Sequence, residues 1–326
     1  MVPVDSPRRF PSLSSIRSQG SGVLWPAGLG MALGFSVLAA ATKATGTRLS
    51  SYERIFLRSC CCVVLAPIAG ETALPPIASP NRRLLMLRGI LGFIAVSSYY
   101  DAIARIPLAT LTLISRLHPL LSTALAGLIL GEPVPRQQMM VLLVATLGTA
   151  LLAPAEEIFS GDGSAWGYSA ALLAAFFTAM ALLCVRTLTV LGEPAHHARE
   201  AFHWGNLCGS LVLGLPRGFM WPTSNETFWI LITAVSMQLA QLALTHVLRS
   251  PVVSATKYFF LNVVLNLAFG VLLGDPFPSI QETMGALVIL LSIAYGGSID
   301  TVAAPGQPAP KKATTAPRNA TDESPS

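Results

Sequence analysis

Charge is what this chain lacks most. Only 11% of its 326 residues are charged, whereas a soluble domain carries roughly 25%. That is too little charge to cover a water-facing surface, and it excludes a soluble globular protein. Cysteine is scarce as well. The five cysteines (Cys60, Cys61, Cys62, Cys184 and Cys208) all fall in apolar stretches. They lack both the loop positions of a disulfide scaffold and metal-ligand spacing, and are expected as buried free thiols. The composition fits neither a disordered chain nor a collagen-like one. No nucleophile elbow, phosphate-binding glycine loop, zinc motif or carboxylate pair stands out, so no enzyme activity, catalytic residue, cofactor or metal is expected. His196, His197 and Glu193 share a loop but lack further ligands nearby.

Apolar residues are what the chain has. They make up 52% of it, and the mean hydropathy is +0.60. A spanning helix needs about 20 mostly apolar residues. Ten such spans are predicted, at roughly 23–42, 52–70, 84–104, 107–130, 136–153, 165–188, 199–218, 227–248, 251–273 and 280–299. The second and seventh are the weakest. Residues 1–22, rich in Ser, Pro and Arg, and 300–326, of low complexity, are expected to be disordered cytoplasmic tails. The leader also has the look of a transit peptide.

The net charge of +5 reads as the positive-inside bias of a membrane protein rather than as nucleic-acid binding. With the N-terminus inside, the inner segments hold Arg8, Arg9, Arg17, Arg82, Arg83, Arg136, Arg186, Arg199, Arg249, Lys311, Lys312 and Arg318. The outer loops hold Lys43, Arg48, Arg105 and Arg217, with Arg54 at a boundary. Both termini are therefore expected in the cytoplasm. The plasma membrane is the default address and an organellar membrane the second. A glycosylation sequon, Asn225-Glu226-Thr227, falls on the outer side against the eighth span.

The segment GLILGEPVPRQQ at 127–138 recurs as GVLLGDPFPSIQ at 270–281, six of twelve positions identical at an offset of 143. Each copy ends one span and opens the next. Two halves of five helices follow, 23–154 and 165–299, joined by an acidic linker at 155–164. An odd number of spans per half makes the second half inverted. This design recurs in secondary transporters, with substrate bound near the midplane between the halves. Both copies carry GxxxG, Gly127/Gly131 and Gly270/Gly274, a close-packing signal.

Several motifs now resemble one family. Arg88-Gly89, Tyr99-Tyr100-Asp101-Ala102 running on to Pro107, His118-Pro119 and Leu130-Gly131-Glu132 are similar to the EamA domain of the drug/metabolite transporter superfamily. The resemblance is specific over about 83–154 and weaker over 165–299. It implies an all-α integral membrane protein of ten helices, built as two inverted EamA-like repeats. It further implies alternating access through a central cavity lined by the third, fourth, eighth and ninth helices. The chain departs from the family pattern at Thr110, where close relatives often carry an acid, so a relative's substrate does not transfer.

A charge near the bilayer centre is costly, by about 2.5–3.5 kcal/mol on insertion scales, so deep charges are candidates for the site. Arg116 lies nine residues into the fourth span, on one face with Thr112, Thr123 and Gly127. Its alternative is a structural ion pair with Asp101. Lys257 has similar depth in the ninth span, beside a polar stripe of Ser254, Tyr258, Asn262 and Asn266. Tyr100 near the outer end of the third span, with Gln238 and Gln241 on the eighth, completes the expected substrate contacts. Asp101 and His118 are the coupling candidates, Lys257 a further one. Arg58 and Arg88 are expected to snorkel from span ends.

The expected function is secondary-active transport of a small organic solute, anionic or zwitterionic. Its partners are that solute, the lipid bilayer and a coupling proton or ion, with no nucleic acid. A homodimer is compatible. The alternatives are a non-transporting receptor or scaffold on the same fold, and a membrane-embedded enzyme.

Overall fold

The computed structural model describes residues 24–46, 48–69, 75–103, 105–106, 111, 114–132, 134–152, 165–272 and 277–302. The tails at 1–22 and 303–326, the linker 155–164 and Asp275 lie outside the described residues, as do Thr110 and Thr112. Regular structure among the described residues is helical throughout. The helices are α1 (Leu24–Ala44), α2 (Ser51–Leu65), α3 (Arg82–Ile103), α4 (His118–Leu125), α5 (Arg136–Leu152), α6 (Ala165–Val190), α7 (Ala195–Gly214), α8 (Ser224–Val247), α9 (Val252–Thr256), α10 (Tyr258–Leu272) and α11 (Ile280–Val302). Trp25–Thr42, Arg82–Ala102, Ala165–Val190 and Ser224–Val247 are long and apolar enough to cross a membrane, and His118–Leu130, Tyr258–Phe269 and Ile280–Gly296 are shorter apolar helices. The chain is a multi-pass membrane protein. Large apolar side chains such as Leu128 and Leu239 point outward, as expected where the solvent is lipid.

Local chemistry sets the helix starts. Ser50 and Glu53 form a capping box at α2, and Thr223 and Glu226 form another at α8. Each satisfies two backbone donors that the helix itself leaves open. The α8 box places Asn225 of the sequon in the first turn of the helix.

The ninth predicted span is not continuous. It breaks at Lys257, between α9 and α10. The fourth breaks at Arg116 and Leu117, two turn residues ahead of α4. Its far end loosens into a π turn over Ala126–Leu130, which Gly131 ends at φ 64°, a left-handed angle glycine adopts without strain.

α1 lies along α8, α3 along α6, and α5 along α11. α7 packs against both α2 and α3, α1 also against α10, and α4 against α6. At the α3–α7 crossing the backbones meet at Gly89 and Gly205. A Cβ on Gly205 would lie 2.4 Å from the carbonyl oxygen of Gly89. Of the GxxxG glycines, Gly127 and Gly131 do not play this role, while the surroundings of Gly270 and Gly274 lie outside what the structure describes. Gly127 faces Val134 and Glu132 of its own turn, and Gly131 has nothing near its Cβ position. The π turn carries both away from a helix–helix seam.

Candidate functional site

The two broken spans meet. From the turn ahead of α4, the Arg116 guanidinium reaches α10. Its Nη1 donates to the carbonyl of Phe259 at 2.8 Å, and its Nη2 to Asn262 Oδ1 at 3.1 Å. Both acceptors are neutral. Asn262 in turn donates to Ser36 Oγ at 2.8 Å and to the carbonyl of Ala32 at 3.3 Å, which ties the pair to α1. Asn266 lies one turn on, 3.4 Å from Asn262 Oδ1. Arg116 Nε is buried without an acceptor among the described residues.

His118 opens α4 two residues later. One ring nitrogen sits 2.6 Å from the carbonyl of Ser115, and the ring stands edge-on to Phe259 with centroids 4.7 Å apart. Its Nε2 is buried with no partner among the described residues. A guanidinium, a carboxamide and an imidazole thus meet between α1, α4 and α10.

The other predicted site residues separate into different places. Lys257 is buried on another side of the ninth span. Its stem runs toward Gly296 of α11, and its ammonium lies 5.4 Å from the Tyr258 ring centroid. Tyr258 is fully buried against Trp25 and Gly28 of α1. Tyr100 sits under the Arg54 guanidinium at 5.2 Å. Asp101 does not pair with Arg116. It accepts from Arg105 Nε at 3.0 Å and from Trp166 Nε1 at 2.5 Å, at the far end of α3. Gln238 and Gln241 face α7 or their own helix: Gln238 Oε1 lies 2.7 Å from His203 Nε2, and Gln241 donates to Met237 Sδ at 3.7 Å.

Arg58 and Arg88 do not snorkel. They are 4% and 3% exposed, inside the bundle. Arg88 lies over the Phe202 ring at 4.6 Å. Arg199 and Arg186, read from sequence as inner-segment charges, are equally buried. Deep charge is therefore not confined to Arg116 and Lys257. A run of helix-compatible residues gives no sign of which face turns inward until its neighbours are known. Of the cysteines, all free, Cys62 and Cys184 are buried, Cys60 and Cys61 half-buried, and Cys208 is exposed; α7 turns that residue to the outside.

Glu132, part of the repeat and of the Leu130-Gly131-Glu132 motif, was not among the expected site residues. Its Oε1 accepts from Arg186 Nε at 2.6 Å, and its Oε2 accepts from the Val252 amide at 2.9 Å, capping α9. Arg186 also donates to the carbonyls of Leu248 and Arg249. One carboxylate so ties the end of the fourth span to α6 and to the start of the ninth. The only signal in the sequence was an acid repeated at both copies of the turn.

Outside the spans, Glu193 accepts from Ser79 and Asn81 at 2.6 Å and pairs with His197 Nδ1 at 2.5 Å. Burial pushes its carboxyl up. The hydrogen bonds from Ser79, His197 and Asn81 outweigh that and hold it below the usual carboxylate value. α7 also brings Glu200 to His196 and His197, ligand atoms within 4.8 Å of one another, a grouping the loop residues alone did not reveal.

Known proteins fit this architecture. Residues 21–153 match the EamA-like transporter family. The pseudopaline exporter CntI of Pseudomonas aeruginosa is 27% identical over 267 residues, covering 79% of this chain and 90% of that protein. An uncharacterized transporter of Helicobacter pylori is 24% identical over 279 residues, covering 79% and 89%. A crystal structure superposes with a TM-score of 0.71 at 20% identity, covering 88% of this chain and 98% of its own, which establishes the fold. Residues 21–153 thus match the EamA-like transporter family, and over most of its length the chain is similar to membrane transporters.

Proposed function

We propose that this protein is a secondary-active carrier that moves a small organic solute, anionic or zwitterionic, by alternating access between two inverted five-helix halves. Transport of a small solute is the coarse function of the family and of its transporter-named relatives. The observation that carries the finer reading is Arg116. It is a half-buried cation at the break of one span, whose acceptors among the described residues are neutral groups on the other broken span. A carboxylate competes well for such a guanidinium, because a charge-assisted bond is roughly twice as strong as a neutral one. Lys257, at the second break, adds positive charge to the same level of the bundle. Discontinuous helices at a midplane site are what carriers with inverted repeats use.

The helix pairings support the two halves, 23–154 and 165–299. Exchanging the first five spans with the last five turns α1 on α8 into α6 on α3, and α1 on α10 into α6 on α4. It leaves α5 on α11 and α2 on α7 unchanged. Arg116 bonds to Phe259, the residue 143 positions on, which is the repeat offset itself and puts that bond near the pseudo-two-fold axis. We place both termini in the cytoplasm and the protein in the plasma membrane, and the relative named an exporter supports an outward direction of flux. His118, beside Arg116, is better placed to couple a proton than Asp101, which is engaged at the far end of α3.

Uptake of a solute panel into proteoliposomes tests this. Arg116→Ala is expected to abolish transport of the accepted solutes, and Lys257→Ala to weaken it. Transport unchanged in both variants sinks the assignment. His118→Gln is expected to flatten the pH dependence of uptake, and Asp101→Asn to leave it alone.

A further inference from the structure

A second set of buried cations lies apart from the broken spans, between α2, α3, α7 and α8. Arg58 comes from the middle of α2, Arg88 from the second turn of α3, and Arg199 and His203 from one face of α7. All four are at least nine-tenths buried, and the three guanidinium groups lie close enough to act electrostatically on the His203 ring. The Gly89–Gly205 crossing brings α3 and α7 together here, and Gly92 leaves room for the Arg88 fork beside Phe202.

What these groups hold is less than they offer. Arg199 donates to Thr245 Oγ1 at 2.8 Å, and His203 meets Gln238 at 2.7 Å. Yet Arg58 Nε and Nη2, Arg88 Nε and Nη1, and His203 Nδ1 are buried with no acceptor among the described residues. The Phe202 face lends Arg88 a cation–π contact, which occupies none of its N–H donors. The nearby carboxylate, Glu200, lies within 4.8 Å of the ligand atoms of His196 and His197. Arg58 and Arg88 alone thus leave four guanidinium nitrogens open inside the bundle. Buried donors in a low-dielectric interior are expensive to leave open. Two planar forks are shaped to take a carboxylate or phosphate oxygen pair each.

We propose that Arg58, Arg88 and Arg199 form a second anion site, distinct from the Arg116 site, that takes a dianionic organic group through its carboxylate or phosphate oxygens. His203 and Gln238 line its edge, and the side chains close over it in the conformation described. The proposal does not rest on the Arg116 reading, and the two fail separately.

The test is isothermal titration of the full-length protein in detergent, in wild type and in an Arg116→Ala background, with succinate, inorganic phosphate and acetate. Saturable binding of succinate or phosphate, at least ~10-fold tighter than acetate, is expected in both backgrounds. Which dianion binds tells a carboxylate from a phosphate source. Arg88→Gln is expected to weaken that binding at least ~10-fold. Arg58→Lys and Arg88→Lys keep the charge and lose the fork. Checked for a single gel-filtration peak, they keep the test decisive if a glutamine variant fails to fold, and they too are expected to weaken binding. No saturation up to ~10 mM with either dianion overturns the proposal. So does binding that Arg58 and Arg88 variants leave untouched. Binding lost only with Arg116→Ala overturns this site while leaving the Arg116 reading standing.

Discussion

Glu132→Gln perturbs the single carboxylate that fastens three spans. Its two oxygens meet Arg186 Nε at 2.6 Å and the Val252 amide at 2.9 Å, with both side chains of the ion pair nearly fully buried. Removing one partner of a buried pair costs about 3–5 kcal/mol, because the other charge is left uncompensated. Arg186 keeps the carbonyls of Leu248 and Arg249, and a glutamine oxygen still accepts one bond. The lower end, ~3 kcal/mol, is therefore expected. At roughly 2–4 °C per kcal/mol, thermal unfolding of the purified protein drops by about 6–12 °C. The double variant Glu132→Leu/Arg186→Met removes both charges together and is expected to recover most of that loss, since well-packed apolar replacements of a buried pair are often neutral. A Glu132→Gln midpoint within ~3 °C of wild type, or a double variant that loses the sum of the two single losses, refutes the reasoning.

Gly205→Ala drives a methyl group into the carbonyl of Gly89 at 2.4 Å, where backbone cannot yield as a side chain does. A loss of about 1–3 kcal/mol, typical of overpacking, is expected by thermal unfolding, and an unchanged midpoint would show that α3 and α7 cross elsewhere. Glu193 carries a depressed carboxyl value, so its hydrogen bonds stabilise the fold above the ordinary value of 4.5 and lose that effect as the pH falls through the folded value. The gap in unfolding midpoint between wild type and Glu193→Gln is thus expected to be constant near neutrality and to close in acid; a gap that widens in acid contradicts the sign. Arg48 pairs with Glu226 at 2.5 Å but is itself 41% exposed, so solvent screens the pair and Arg48→Gln is expected to lower the unfolding midpoint far less than Glu132→Gln in the same assay.

Composition settles the class of this protein. Scarce charge and long apolar runs leave only helices in a membrane, because every backbone donor in lipid must be satisfied within its own segment. The span positions followed from hydropathy, and the resemblance carried by Tyr99-Tyr100-Asp101 and Leu130-Gly131-Glu132 pointed to the family. Arg116 stood out because it lies deep in an apolar run. Tertiary structure alone decided which charges face inward. Arg58 and Arg88 look like span-end residues in a linear pattern, and only the packing of α2 and α3 against α7 encloses them. The break at Lys257 was equally hidden, since no proline or glycine marks it. Asn262 was legible as a polar position, but its partnership with Arg116 joins residues 146 apart. Hydropathy averages over a whole turn, whereas a site depends on which side of the helix each residue takes and which helix meets it there.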